Sequence, residues 1–140
     1  MKIVNIILTS KNGGAEQVFV DYLVTLKKLG HDVLAVVKHD APYADKIEAL
    51  GIEVKKIKNS LGYHDIFAIS ALQKILQTFD ADVTISHMGR SVSLIRKAVK
   101  KIKHKQLLQV GVNHSMNVKR SIGCDVILSV NKEVFFRTID

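Results

Sequence analysis

At 140 residues the chain fits one domain and leaves little room for a second. Its composition, 47% hydrophobic and 24% charged, is that of an ordinary soluble globular domain. No apolar run nears the roughly 20 residues of a membrane-spanning helix, and the single cysteine, Cys124, excludes an internal disulfide and a thiolate metal cluster.

The formal net charge of +8 points to phosphate-bearing partners without choosing among nucleic acid, lipid headgroups and nucleotides. Met1–Leu8 has a basic residue and an apolar stretch but no small-residue cleavage site. It reads as a first buried strand rather than a signal peptide, and the expected location is the cytoplasm.

Apolar runs alternate with amphipathic stretches along the chain. Lys2–Leu8 is a short, Ile-rich run of the kind that buried parallel strands use. Ala15–Leu29 predicts a helix with Val18, Phe19, Tyr22, Leu23, Leu26 and Leu29 on one stripe, stopped by Gly30. Asp32–Lys38 is a second strand. A short helix beginning near Pro42 turns Ile47 and Leu50 inward and ends at Gly51. Ile52–Ile57 alternates more and belongs nearer an edge. Asp65 caps a helix from Ile66 to about Phe79. Asp82–Ser86, Gln106–Val112 and Asp125–Val130 follow as strands, with a helix over Ser91–Lys103, and the last ten residues begin another helix. This alternation predicts an α/β fold: a doubly wound, mostly parallel sheet of about six strands with right-handed crossovers. The stop at Asp140, inside an amphipathic stretch, leads us to expect a truncated fragment; a helix that simply closes a small domain is the other reading.

In open α/β sheets, ligands bind beyond the carboxyl ends of the strands, where the winding reverses. If the first and fourth strands are neighbours, that rim carries Thr9–Glu16, His87-Met88-Gly89-Arg90 and Asn113-His114-Ser115. Gly13 and Gly14 would let backbone N–H groups approach a phosphate at a helix N-terminus; a tight turn with no ligand also explains them. Glu16 suits the positive end of a helix with or without a substrate. His87 and His114 each stand at a strand end, as functional groups or as loop residues bonded to a carbonyl. Arg90 can grip an anionic group with its planar fork or face solvent, although a cation in a first helical turn opposes the dipole. No histidine lies in a metal-ligand spacing, so no metal site is expected. Arg96-Lys97, Lys100-Lys101 and Lys103-His104-Lys105 read as the outer face of one amphipathic helix, either solvated or drawn to anionic lipid. No aromatic residue interrupts the run, which disfavours single-stranded nucleic acid.

The order of these features resembles glycosyltransferase family 4. Gly13-Gly14-Ala15-Glu16 after the first strand, then Lys28-Leu29-Gly30-His31-Asp32-Val33, is similar to the opening of those enzymes. Ala81–His87, Gly89-Arg90, Asn113-His114 and Cys124–Asn131 resemble later segments in the same order, so that nearly the whole chain is covered. The resemblance implies the N-terminal, acceptor-side Rossmann-like half of a retaining GT-B enzyme. That enzyme takes a nucleotide-sugar as donor substrate, with a sugar or lipid-linked acceptor, and uses neither metal nor cofactor. Gly13 and Gly14 would cover the donor diphosphate, and His114 would approach the transferred sugar as the catalytic candidate. Glu16, His87, Gly89 and Arg90 would shape the acceptor site. The basic half would sit on the inner face of a membrane. No general base is assigned. The donor-binding half, with its glutamate pair, is expected to lie outside this chain, and the chain alone is expected to be inactive.

Two other classes remain. A divergent dinucleotide-binding domain expects Gly-x-Gly-x-x-Gly, whereas only the adjacent Gly13 and Gly14 occur, and Asp40 lacks that companion. No P-loop is present, and a receiver domain would need acids where Thr9-Ser10 and Lys58 stand. The non-enzymatic alternative is a basic α/β module that docks on a membrane or nucleic acid.

Overall fold

A computed structural model describes residues 1–114 and 123–129. In chain order its elements are β1 (Lys2–Ile7), α1 (Gly14–Lys28), β2 (Asp32–Lys38), α2 (Ala44–Ala49), β3 (Glu53–Ile57), α3 (Ile66–Phe79), β4 (Val83–His87), α4 (Gly89–Lys100), β5 (Leu108–Asn113) and β6 (Val126–Ser129). A single 3-10 turn, Gly62–His64, precedes α3. The six strands form one sheet in the order β3-β2-β1-β4-β5-β6, and every pairing is parallel. The expected doubly wound Rossmann-like α/β fold is what the chain adopts.

The near-continuous apolar sequence of β1 follows from its central place, since five of its six residues are buried between two neighbours and two helical layers. Alternate residues serve opposite faces. Val4, Ile6, Leu34 and Val36 pack under Leu72 and Leu76 of α3 and Leu94 and Ile95 of α4. Ile7, Ala35 and Val37 meet Phe19, Val20 and Leu23 of α1 and Ile47 of α2. Farther along that second face, Ile3, Val83, Ile85, Val110 and Val112 lie beneath Tyr22 and Leu26 of α1. The stripe read from the sequence of α1 is thus the face it buries, except that Leu29 is exposed. Gly30, at φ 89°, takes the left-handed conformation that stops α1. The Asp65 side chain accepts from Ala68 N–H at 3.0 Å and starts α3.

Three expectations need correction. Leu50 does not turn inward: α2 ends at Ala49, and Leu50 is 43% exposed beyond it. The fourth helix spans Gly89–Lys100 rather than Ser91–Lys103, so Lys103, His104 and Lys105 leave it for the connection to β5. The basic run is therefore no single helical face. Lys97 donates to the Tyr63 carbonyl at 2.6 Å, and Arg96 lies over Gly123, where an added β-carbon would come within 2.6 Å of its guanidinium. Lys105 bridges Asp82 at 2.7 Å and Asp80 at 3.1 Å. Lys100, Lys101 and Lys103 are exposed. β3 occupies an edge, as its alternation predicts. The helix expected over the last ten residues lies outside the described residues.

Candidate functional site

The winding reverses between β1 and β4, because β1, β2 and β3 proceed one way and β4, β5 and β6 the other. Register then brings the chemistry together. Ile7 lies beside His87, and His87 beside Val112, so that His114 emerges one strand away from His87. The two imidazoles meet, with His87 Nδ1 2.9 Å from His114 Nε2 and the rings stacked at 5.1 Å between centroids. On its other side His87 Nε2 is 2.8 Å from Asn5 Oδ1 of β1. Phe19 and Tyr22 of α1 meet the His87 ring edge-on, at 5.4 and 5.0 Å.

His87 is 0% exposed. Burial, and secondarily the neighbouring His114, pushes its pKa down to about 3, so it is neutral at physiological pH. His114 is half-buried, and burial lowers its pKa as well, while the Glu16 carboxylate works in the opposite direction. His87, expected at the acceptor pocket, is thus the buried support of His114 and does not line a surface.

The glycine turn stands on the same rim. Glu16 Oε1 accepts the Gly13 N–H at 2.8 Å, and Thr9 Oγ1 donates to Glu16 Oε2 at 3.2 Å. Tyr43 anchors the loop by donating its hydroxyl to the Thr9 carbonyl at 3.0 Å. Glu16 is 4% exposed with both oxygens engaged, so its place is inside the loop rather than facing an acceptor. Gly13 has an extended backbone, and neither glycine has a positive φ. A β-carbon on Gly14 would meet nothing within 4 Å, and one on Gly13 only Glu16 Oε1 at 3.5 Å. The turn itself therefore does not demand glycine at either position.

Beside this loop opens a cleft of about 470 Å³, walled by Ser10 and Lys11 after β1, Lys38 at the end of β2, Tyr63, and Gly89-Arg90 of α4. Arg90 lies over the Tyr63 ring at 5.6 Å, which holds its charge at the wall. Lys38 Nζ donates to Ser10 Oγ at 3.1 Å, and Ser10 donates to Asp40 Oδ1 at 2.6 Å. The Ser10 hydrogen bond and, to a smaller degree, Lys38 hold the Asp40 carboxyl below its usual range against a counteracting desolvation. The turn into α4 is strained. Met88 sits at φ 72° and ψ 157°, a region almost reserved for glycine, pinned there by donation of its N–H to Val112 O at 3.2 Å.

The structure gathers the predicted residues into two adjoining sets. Gly13, Gly14 and Glu16 form the turn next to the His87–His114 pair, and Gly89 and Arg90 wall the cleft. Sequence reasoning missed Asn5, Lys38 and Tyr63. Asn5 had a signal, as the one polar residue in the interior of the apolar β1 run. Among the described residues no three His, Cys, Asp or Glu side chains group as metal ligands, and no helix is long and apolar enough to cross a membrane.

No protein-family profile matches the chain, and no curated protein matches it in sequence. Solved structures do match in fold. The lipopolysaccharide outer core galactosyltransferase WaaB, in its apo form, superposes with a TM-score of 0.77 at 17% identity, covering 99% of this chain and 42% of its own. MurG of Acinetobacter baumannii gives 0.76 at 11% identity, covering 95% of this chain and 43% of its own. A putative UDP-N-acetylglucosamine 2-epimerase from Listeria monocytogenes gives 0.67 at 13%, covering 99% and 41%. The chain spans about two-fifths of the length of these neighbours, and its six-stranded parallel sheet matches the Rossmann-like domains of GT-B glycosyltransferases.

Proposed function

We propose that the chain is the acceptor-side half of a retaining glycosyltransferase resembling family 4, which moves a sugar from a nucleotide-sugar to a lipid-linked or polysaccharide acceptor. The observation that carries this reading is the Gly13-Gly14 turn at the head of α1. Its glycines have no conformational or steric reason within the described chain, and the lack of a side chain at either position lets a diphosphate come close to the first turn of α1, where Glu16 already takes the Gly13 N–H. To His114, one strand from the seam, we assign the approach to the transferred sugar. The neighbouring cleft, with Lys11, Lys38 and Arg90 in its walls, suits an acceptor that carries negative charge. No cofactor takes part, because the nucleotide-sugar is itself a substrate. A donor-binding half would close over this rim, and the chain by itself would bind donor weakly and turn nothing over.

Amide signals of the purified chain, followed during titration with UDP-sugars and with a phosphorylated lipid or oligosaccharide, test this reading. Shifts at Gly13, Gly14 and Ala15 with the nucleotide-sugar, and at Gly89–Ser91 with the acceptor, are expected. Turnover of a nucleotide-sugar by the 140-residue chain would overturn the inactive-half proposal. The absence of any response on this rim would overturn the transferase reading.

Lys100, Lys101 and Lys103, exposed where α4 ends, favour peripheral attachment to an anionic cytoplasmic membrane face. Each cation contributes on the order of 1 kcal/mol near such a surface. Co-sedimentation with phosphatidylserine vesicles should be lost in high salt and in a triple Lys→Gln variant at these positions. Salt-dependent DNA binding without vesicle binding would favour the nucleic-acid module instead.

A further inference from the structure

The contact between the two imidazoles belongs to a longer chain that starts at a backbone carbonyl. Asn5 Nδ2 lies 3.3 Å from the Phe19 carbonyl oxygen in α1. Only the amide nitrogen can face that oxygen, because the reverse orientation would set two acceptors against each other. Asn5 Oδ1 is thereby committed as an acceptor, and it lies 2.8 Å from His87 Nε2. His87 Nε2 must carry the hydrogen. A buried, neutral imidazole has one donor and one acceptor, so His87 Nδ1 presents a lone pair. That lone pair is 2.9 Å from His114 Nε2, which must then be the protonated nitrogen of its ring.

We propose that Asn5, acting through His87, sets the tautomer of His114, so that His114 keeps Nε2–H and offers Nδ1 as an acceptor to a hydroxyl of the bound sugar substrate. Asn5 is a positioning residue, buried two residues before the end of β1, and the register that places β1 beside β4 aims it at His87. Among the described residues no hydrogen bond engages His114 Nδ1, and the ring is only half-buried. The design resembles the support given to imidazoles elsewhere, where a fixed bond at one nitrogen decides what the other can do. If His114 takes up a proton at Nδ1, its bond to His87 is unchanged, and the nearby Glu16 carboxylate favours the resulting charge. The identity of the hydroxyl rests on the transferase reading; the tautomer does not.

Long-range proton–nitrogen correlation spectra of the nitrogen-15-labelled chain, recorded near neutral pH, test the proposal. Wild type should show both His87 and His114 protonated at Nε2 and unprotonated at Nδ1. Asn5→Leu removes the acceptor for His87 Nε2–H, and the His114 pattern should move toward Nδ1–H or a mixture. A wild-type His114 protonated at Nδ1 overturns the proposal without any variant, as does an unchanged His114 pattern in folded Asn5→Leu. Protonation of Nδ1 in a complex saturated with UDP-N-acetylglucosamine would overturn the acceptor role. Absence of any response on this rim to the UDP-sugars and acceptors titrated above would sink the transferase reading and leave the tautomer result standing.

Discussion

Leu8, just past the end of β1, donates its backbone N–H to Ser91 Oγ at 3.1 Å, which ties the first turn of α4 to the central strand. Both residues are buried, and this bond holds Gly89 and Arg90 against the cleft. Ser91→Ala leaves the Leu8 N–H without a partner, at a cost of roughly 1–3 kcal/mol. Urea denaturation should show that loss, and an unchanged midpoint would mean that water replaces the hydroxyl.

His87 makes stability depend on pH in a definite window. Its folded pKa is depressed from 6.5 to about 3, so between those values the unfolded chain binds a proton that the folded chain refuses. Stability is therefore full above about pH 6.5 and declines as pH falls toward 3, by about 1.4 kcal/mol per pH unit at most. Denaturation series from pH 7 to 4 should show a shallower slope in a folded His87→Asn variant than in wild type. Equal slopes would mean that His87 is not held neutral.

Asp65 organises the loop that carries Tyr63. Its carboxylate accepts from Ala68, Ser60 and Leu61 N–H groups and from Asn59 Nδ2, at 3.0–3.2 Å. Burial opposes its charge, but these bonds prevail and hold the pKa below the usual carboxylate range. Its stabilising contribution is consequently present at neutral pH and lost as pH falls through that lowered value. Asp65→Ala removes a helix cap and strands two loop amides, at a cost of about 2–4 kcal/mol. Asp65→Asn should recover part of it. A loss below about 0.5 kcal/mol in Asp65→Ala would contradict this account.

Gly14→Val separates folding from ligand approach. There is room for the β-carbon, and φ is not positive, so the thermal midpoint should stay within the equivalent of about 0.5 kcal/mol. Affinity for UDP-sugars should fall by about tenfold or more, because the branched side chain stands where a diphosphate would meet the helix N-terminus. Undiminished affinity would remove the phosphate role from this turn.

Local patterns settled much of this molecule. Apolar runs of six or seven residues, the α1 stripe, the Asp65 cap and the Gly30 stop each depend on near neighbours in the chain, so strand and helix identities could be read from residue order. The same patterns placed Gly13, Gly14, His87, Gly89, Arg90 and His114 at strand ends, and hence on one rim once a parallel sheet is assumed. Boundaries slipped where no local signal marks them. The start of α4 follows strained Met88 and its bond to β5, which no residue pattern encodes.

Tertiary structure decided which groups touch. Parallel pairing across 80 residues sets Ile7 beside His87, and only that register turns Asn5, inconspicuous inside an apolar strand, into the partner of a buried imidazole. It also drew Glu16 into its own loop and gave Lys97 and Lys105 partners that the basic run had not announced. Propensity and periodicity are properties of adjacent residues, whereas a hydrogen bond between strands depends on the alignment of segments far apart in the chain. The residue order therefore determined what kind of fold forms and which rim gathers the glycine turn, the two histidines and Arg90; the packed sheet determined which nitrogen of His114 faces His87.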